Sequence, residues 1–200
     1  MKAIKSYIKN TDKLCLALCV CCSVLSVVSL TSISYYASVA ENSLFQNYRM
    51  AIVQGGAAAA GLFFAVLLST FDYHSMAQIW PFHAILTWGM VLATFVIGYA
   101  PNGTTNKAWI RLPLDLSIQP TELAKISFIL TFALHLDNAH DHLDEPATLA
   151  GLLAHLGLPL ILIHFQGDDG TALIFLLVGL TMLFAAGLNR KYILIGAGLS

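Results

Sequence analysis

From Leu14 to Tyr36 the chain carries no charged side chain. A helix needs about 20 apolar residues to cross the hydrocarbon of a bilayer, where every backbone N–H and C=O must be satisfied within the segment. Runs of comparable length recur over Met50–Thr70, Trp80–Tyr99, Gln119–Leu136, Thr148–Phe165 and Thr171–Leu188. The expected fold class is therefore all-α, a polytopic transmembrane helix bundle with six complete spans. Tyr192–Ser200 starts a seventh run of roughly nine residues, less than half of a span. On this reading residues 1–200 are a single transmembrane domain, the N-terminal portion of a longer protein.

Composition agrees, with 58% hydrophobic and 10% charged residues. A net charge of -1 leaves no basic stripe to displace counterions from a polyanion, so a nucleic-acid partner is excluded and a lipidic or embedded one is expected.

Lys2, Lys5, Lys9 and Lys13 precede the first run, and cationic flanks stay in the cytoplasm. Ser38 and Ala40 could form a signal-peptide cleavage site, but the apolar stretch exceeds the 7 to 15 residues of such a peptide. Cys15, Cys19, Cys21 and Cys22 all lie in this span without a histidine or carboxylate beside them, which fits apolar filling or acylation better than metal binding. After the loop Ala37–Tyr48, the second span holds Gln54, a candidate interhelical hydrogen-bonding group, and small residues at Gly55, Ala57, Ala59 and Gly61, a pattern for close packing. Asp72–Gln78 reads as a cytoplasmic turn before Trp80, a residue suited to the membrane interface.

Trp109–Lys125, WIRLPLDLSIQPTELAK, combines a polar outer loop with a helix start. Pro120 suits the first helical position and Gln119 the cap. Glu122 falls at the third position, where free N–H groups and the positive end of the helix dipole favour a carboxylate, and Lys125 follows three residues later on the same face. A helix cap with its ion-pair partner explains both residues. A lysine this far into a bilayer helix also invites a functional reading. Upstream, Pro101-Asn102-Gly103 is turn chemistry, and Lys107 and Arg111 flank Trp109, which suits an anionic headgroup or an interfacial anchor.

His135, Asp137, His140, Asp141, His142, Asp144 and Glu145 read as a solvated loop, since their spacing matches no closed metal-ligand set. The loop Gln166-Gly167-Asp168-Asp169-Gly170 lies on the same side as the Trp109 stretch. One of its aspartates can cap the sixth helix, yet two acids exceed what a cap requires. Asn189, Arg190 and Lys191 then fall on the cytoplasmic side.

WIRL followed by IQPTELAK, and QGDDGTAL, resemble two sequence blocks of the SEDS family, the FtsW, RodA and SpoVE proteins of shape, elongation, division and sporulation. Gln54 and Phe71-Asp72-Tyr73 add to the likeness. Thr121 stands where that family usually has serine, Gly167 where it has proline and Asp169 where it has an apolar residue.

The resemblance implies a peptidoglycan glycosyltransferase, one portion of a ten-span protein. Such an enzyme polymerises lipid II, the undecaprenyl-pyrophosphate precursor, at the outer face of the bacterial cell membrane, beside a monofunctional transpeptidase, a class B penicillin-binding protein. Displacing a pyrophosphate calls for cations, for which Lys107, Arg111 and Lys125 are candidates, and activating a sugar hydroxyl calls for a carboxylate base. The family's catalytic aspartate is expected beyond Ser200. Trp109, Arg111, Gln119, Glu122, Lys125, Asp168, Gly170 and Thr171 are the expected substrate-binding or pocket residues. No cofactor is evident, and a divalent cation stays open. A lipid-precursor flippase and a non-catalytic, partner-binding fragment are the alternatives.

Overall fold

A computed structural model describes residues 12–41, 44–69, 71–101, 104–113, 116–143 and 145–188. Lys2, Lys5, Lys9, Asn102, Gly103, Asp115, Asp144, Asn189, Arg190, Lys191 and the start of the seventh run lie outside the described residues. The chain divides into two compact units, Met1–Phe71 and Asp72–Ser200.

The first unit pairs α1 (Lys13–Glu41) with α2 (Leu44–Leu68). The expected loop Ala37–Tyr48 is thus almost wholly helical. Ala37, Ala40 and Glu41 are good helix formers and the stretch has no glycine or proline, so propensity carries both helices past the apolar segments. The small-residue stripe of α2 does not join the pair: a Cβ at Gly55, Gly56 or Gly61 would meet nothing within 4 Å.

The second unit begins with a short helix, α3 (Tyr73–Gln78), where a turn was expected. Asp72 caps it by accepting from the His74 amide at 3.1 Å. Then come α4 (Trp80–Ile97), α5 (Pro120–Asn138), α6 (Pro146–Phe165) and α7 (Asp169–Ala185). Proline opens α5 and α6, and Pro81 lies in the first turn of α4. Its missing N–H is harmless where no carbonyl waits for it. Between α4 and α5 runs a minor ribbon of β1 (Ile110–Arg111) and β2 (Ser117–Ile118), antiparallel, with Ile110 opposite Ile118 and Arg111 opposite Ser117.

Helix α5 touches α3, α4, α6 and α7. Its buried positions include Thr121, Ala124, Ser127, Phe128, Thr131 and Phe132, a three-and-four spacing that keeps one stripe inward. Phe128 stacks on Phe132 with ring centroids 5.1 Å apart and meets Phe175 of α7 at 5.2 Å. Leu152, Ile163 and Leu183 complete that core without measurable exposure or nearly so.

The architecture is an all-α transmembrane helix bundle. The helices expected at all six spans are present. Among the described residues four contain segments long and apolar enough to cross a membrane: Lys13–Ile33, Tyr48–Leu68, Trp80–Ile97 and Pro146–Phe165. Helix α7 is apolar but has only 17 residues, and α5 has 19 but carries Glu122, Lys125 and Asp137.

Candidate functional site

The starts of α5 and α7 meet at one end of the second unit. Gln119 occupies the N-cap position of α5, but its side chain makes no cap hydrogen bond. Its Nε2 instead donates to Asp168 Oδ2 at 2.5 Å. Asp168 caps α7, accepting from the Thr171 amide on Oδ1 at 3.1 Å and from the Thr171 hydroxyl on Oδ2 at 2.9 Å. One carboxylate therefore satisfies an otherwise free N–H of α7 and holds α5 to it. Three donors take three of its roughly four lone-pair sites, an arrangement for holding helices rather than for taking a proton from a substrate.

Glu122 and Lys125 pair with each other, Nζ to Oε1 at 2.8 Å. Glu122 is 57% exposed and Lys125 is 22% exposed, so the lysine stem is largely covered while the pair opens outward. Asp169, the second acid of the loop, meets His164 Nδ1 at 2.6 Å. Gly170 lies beside the capping carboxylate, where an added Cβ would be 3.9 Å from Asp168 Oδ1.

The loop before α5 is fastened to the same end. The Tyr99 amide donates to the Trp109 carbonyl at 2.9 Å, and the Lys107 amide donates to the Gln166 carbonyl at 3.2 Å. The Arg111 guanidinium sits 4.6 Å from the centre of the Tyr99 ring, a cation–π contact that leaves its outer face open. Trp109 is half-buried. The structure joins Gln119, Asp168 and Thr171 by hydrogen bonds, pairs Glu122 with Lys125, and engages Trp109 and Arg111 with Tyr99 rather than with those two groups.

Sequence reasoning gave no role to Gln166 or Gly98, which help to hold this end together. Gln166 is buried, and its Nε2 donates to the Val91 carbonyl and to Thr94 Oγ1. A lone glutamine closing an apolar run was the signal for it. Gly98 faces the Thr94 and Lys107 carbonyls so closely that any Cβ would collide with both. Gly167 has φ of 79° and donates its N–H to the His164 carbonyl at 2.8 Å, two features that proline cannot reproduce. Buried Thr121 Oγ1 and Gln166 Oε1 have no hydrogen-bond partner among the described residues.

The acidic loop after α5 is also partly revised. His140 and His142 are exposed beside Asp141 and Glu145. His135, however, points into the bundle against His155 of α6. Among the described residues no three histidine, cysteine, aspartate or glutamate side chains gather into a metal site.

The family model of the FtsW/RodA/SpoVE cell cycle proteins matches residues 12–200. The chain belongs to this family. A Geobacter sp. (strain M18) relative, a probable peptidoglycan glycosyltransferase FtsW, is 36% identical over 132 residues, which is 64% of this chain and 35% of that protein. The Bacillus subtilis (strain 168) protein of the same description is 28% identical over 172 residues, 81% of this chain and 38% of its own length. The crystal structure of the Thermus thermophilus rod shape determining protein RodA superposes with a TM-score of 0.61 at 23% identity, covering 87% of this chain and 55% of that one, so the FtsW/RodA/SpoVE fold is shared. The chain spans 35% to 38% of the length of these two curated relatives.

Proposed function

We propose that this chain works as part of a SEDS-type peptidoglycan glycosyltransferase, which polymerises lipid II at the outer face of the cytoplasmic membrane during cell division or elongation. The observation that carries the reading is the Gln119 to Asp168 hydrogen bond, which unites the two resembling sequence blocks in a chain matched by the family over residues 12–200. In this reading the α5 and α7 starts form a rigid platform. Arg111 and Lys125 supply cations for the pyrophosphate, Trp109 an interfacial stop, and Glu122, Asp168, Gly170 and Thr171 the frame that positions them. Lysine and arginine act as fixed charges, so a divalent cation would arrive with the substrate's pyrophosphate. The hydroxyl-activating base belongs to the part of the family's sequence after the seventh span. A class B penicillin-binding protein is the proposed partner.

The decisive assay is polymerisation of purified lipid II in detergent by the full-length protein with its transpeptidase. Glycan strands support the enzyme. Their absence, together with precursor movement across sealed vesicles, would replace it with a flippase.

The proposed orientation puts the N-terminus and Arg190 in the cytoplasm, and Trp109 and Asp168 outside, from the lysine bias alone. Single introduced cysteines in intact cells test it. Labelling of a residue-190 cysteine by an impermeant reagent would invert the topology.

A further inference from the structure

Away from the Gln119 and Asp168 cluster, α4, α5 and α6 enclose a groove of about 750 Å3. Its walls are apolar along Trp88, Leu92, Leu158 and Leu162, and its polar groups are Thr131, His135, His155 and Asn138. Twelve helical rises separate Trp80 from the far end of its own helix wall at Leu92, or about 18 Å from Cα to Cα. That length is close to the hydrocarbon depth of one leaflet, half of about 30 Å. His135 lies some 24 Å along α5 from Gln119 by the same rise, so the groove's polar mouth and the candidate site occupy opposite ends of that helix.

The histidines form a directed chain. The Thr131 hydroxyl has one proton and lies 3.0 Å from the Ser127 carbonyl and 3.2 Å from the Phe128 carbonyl, the usual destination for a helical threonine. Its oxygen then accepts from His155 Nε2, 3.2 Å away. With the His155 proton on Nε2, its Nδ1 is an acceptor, and the 3.0 Å contact with His135 Nδ1 requires His135 to be the donor. The remaining atom, His135 Nε2, is left as a bare acceptor with no hydrogen-bond partner among the described residues. Asn138, the last residue of α5, adds an amide with a carbonyl acceptor and N–H donors. Trp80, the first residue of α4, lines the same mouth, so the negative end of the α5 dipole and the positive end of the α4 dipole offset each other there. The bare acceptor at one end of an apolar trough is complementary to an amphiphile with a hydrogen-bond donor at its head. A histidine chain placed inside a membrane bundle calls for such a use.

We propose that this groove holds one acyl chain of a phospholipid whose headgroup ends in a primary ammonium, with that ammonium donating to His135 Nε2 and the chain lying along Trp88, Leu92 and Leu158. The site is independent of the glycosyltransferase reading, since it uses neither the α7 start nor the loop before α5.

The test compares two zwitterionic headgroups that differ in their N–H donors. The purified protein, in a Trp109→Phe background so that only Trp80 and Trp88 emit, is placed in mixed vesicles of phosphatidylethanolamine and phosphatidylcholine. One lipid at a time carries brominated chains, which quench tryptophan on contact. Brominated phosphatidylethanolamine should associate about fivefold better, the worth of one net hydrogen bond. His135→Leu should erase that preference. Thr131→Val should erase it too with His135 intact, because His155 is then free to reverse the chain and turn His135 Nε2 into a donor. Ala154→Phe, which fills the trough, should lower quenching by both lipids. Equal quenching by the two lipids in the unchanged chain, a preference that survives His135→Leu, or a groove that neither lipid reaches would each overturn the proposal. The last outcome would mean that another protein segment covers it.

Discussion

Gln119 Nε2 donates to Asp168 Oδ2 across 49 residues of sequence, so the residue that precedes α5 is held by the residue that caps α7. Asp168→Ala should therefore remove both a cap and a tie. The cap is worth about 1 kcal/mol, and the half-buried Gln119 amide left unpaired adds about 1 to 3 kcal/mol. Asp168→Asn still caps, and its new N–H can donate to Gln119 Oε1 once that amide turns over, so it should lose under about 1 kcal/mol. Melting temperatures of the detergent-solubilised variants check the order. A loss of only about 1 kcal/mol for Asp168→Ala, the cap alone, would show that the tie contributes nothing.

The Glu122 and Lys125 pair separates scaffold from function. Because Glu122 is 57% exposed, Lys125→Ala should lower stability by under about 1 kcal/mol and leave accumulation in the membrane intact. Growth support by a full-length protein with this change should nevertheless fail, and the double change Glu122→Gln with Lys125→Met should fail alike. Parallel measurement of protein level and complementation reads the two effects apart. Full complementation by Lys125→Ala would return the pair to ordinary scaffold.

Gly98 is required by space rather than by backbone angle, since its φ of -68° suits any residue. Gly98→Ala drives a Cβ into the Thr94 and Lys107 carbonyls, rigid backbone on both sides. The expected destabilisation is about 3 kcal/mol or more, at the upper end for overpacking. Proteolysis of the loop between α4 and α5 should rise with it, and an alanine variant as protease-resistant as the parent would contradict this contact.

Gly167 makes a prediction against the family resemblance. Replacing it by proline, the residue usual at that place, would force φ from 79° to about -65° and delete the hydrogen bond to the His164 carbonyl. Gly167→Pro should destabilise this chain more than Gly167→Ala, whose left-handed backbone costs about 1 to 2 kcal/mol. Thermal melts of the pair decide it.

Asp72 carries a pH dependence. The side-chain and backbone hydrogen bonds from His74 hold its carboxyl below the ordinary aspartate range. A depressed value means that the cap's contribution is complete above the unfolded value and is lost as pH falls through the folded one. Amide-exchange protection at His74 and Met76 should therefore persist at neutral pH and fade only in acid. Asp72→Asn, a good neutral cap, should flatten the profile.

Much of this architecture was legible in the chain itself. Uncharged runs such as Leu14–Tyr36 and prolines such as Pro120 and Pro146 dictate helices and their starts, because lipid leaves the backbone no other way to satisfy its hydrogen bonds. The Glu122 and Lys125 pair was equally readable, since residues three apart share a helix face. The loop Ala37–Tyr48 was misread because polarity marks the edge of an apolar run, whereas only backbone propensity marks the end of a helix. Which partners meet across the bundle was decided by tertiary structure alone. Gln119 looked like a cap and became a tie to Asp168. His135 looked like one more member of an acidic loop, yet each residue turns a helix by about 100°, so His135 points to His155 while Asp137 two steps on faces out. Sequence determines the period of such a face. What lies opposite it depends on how α5 packs between its neighbours.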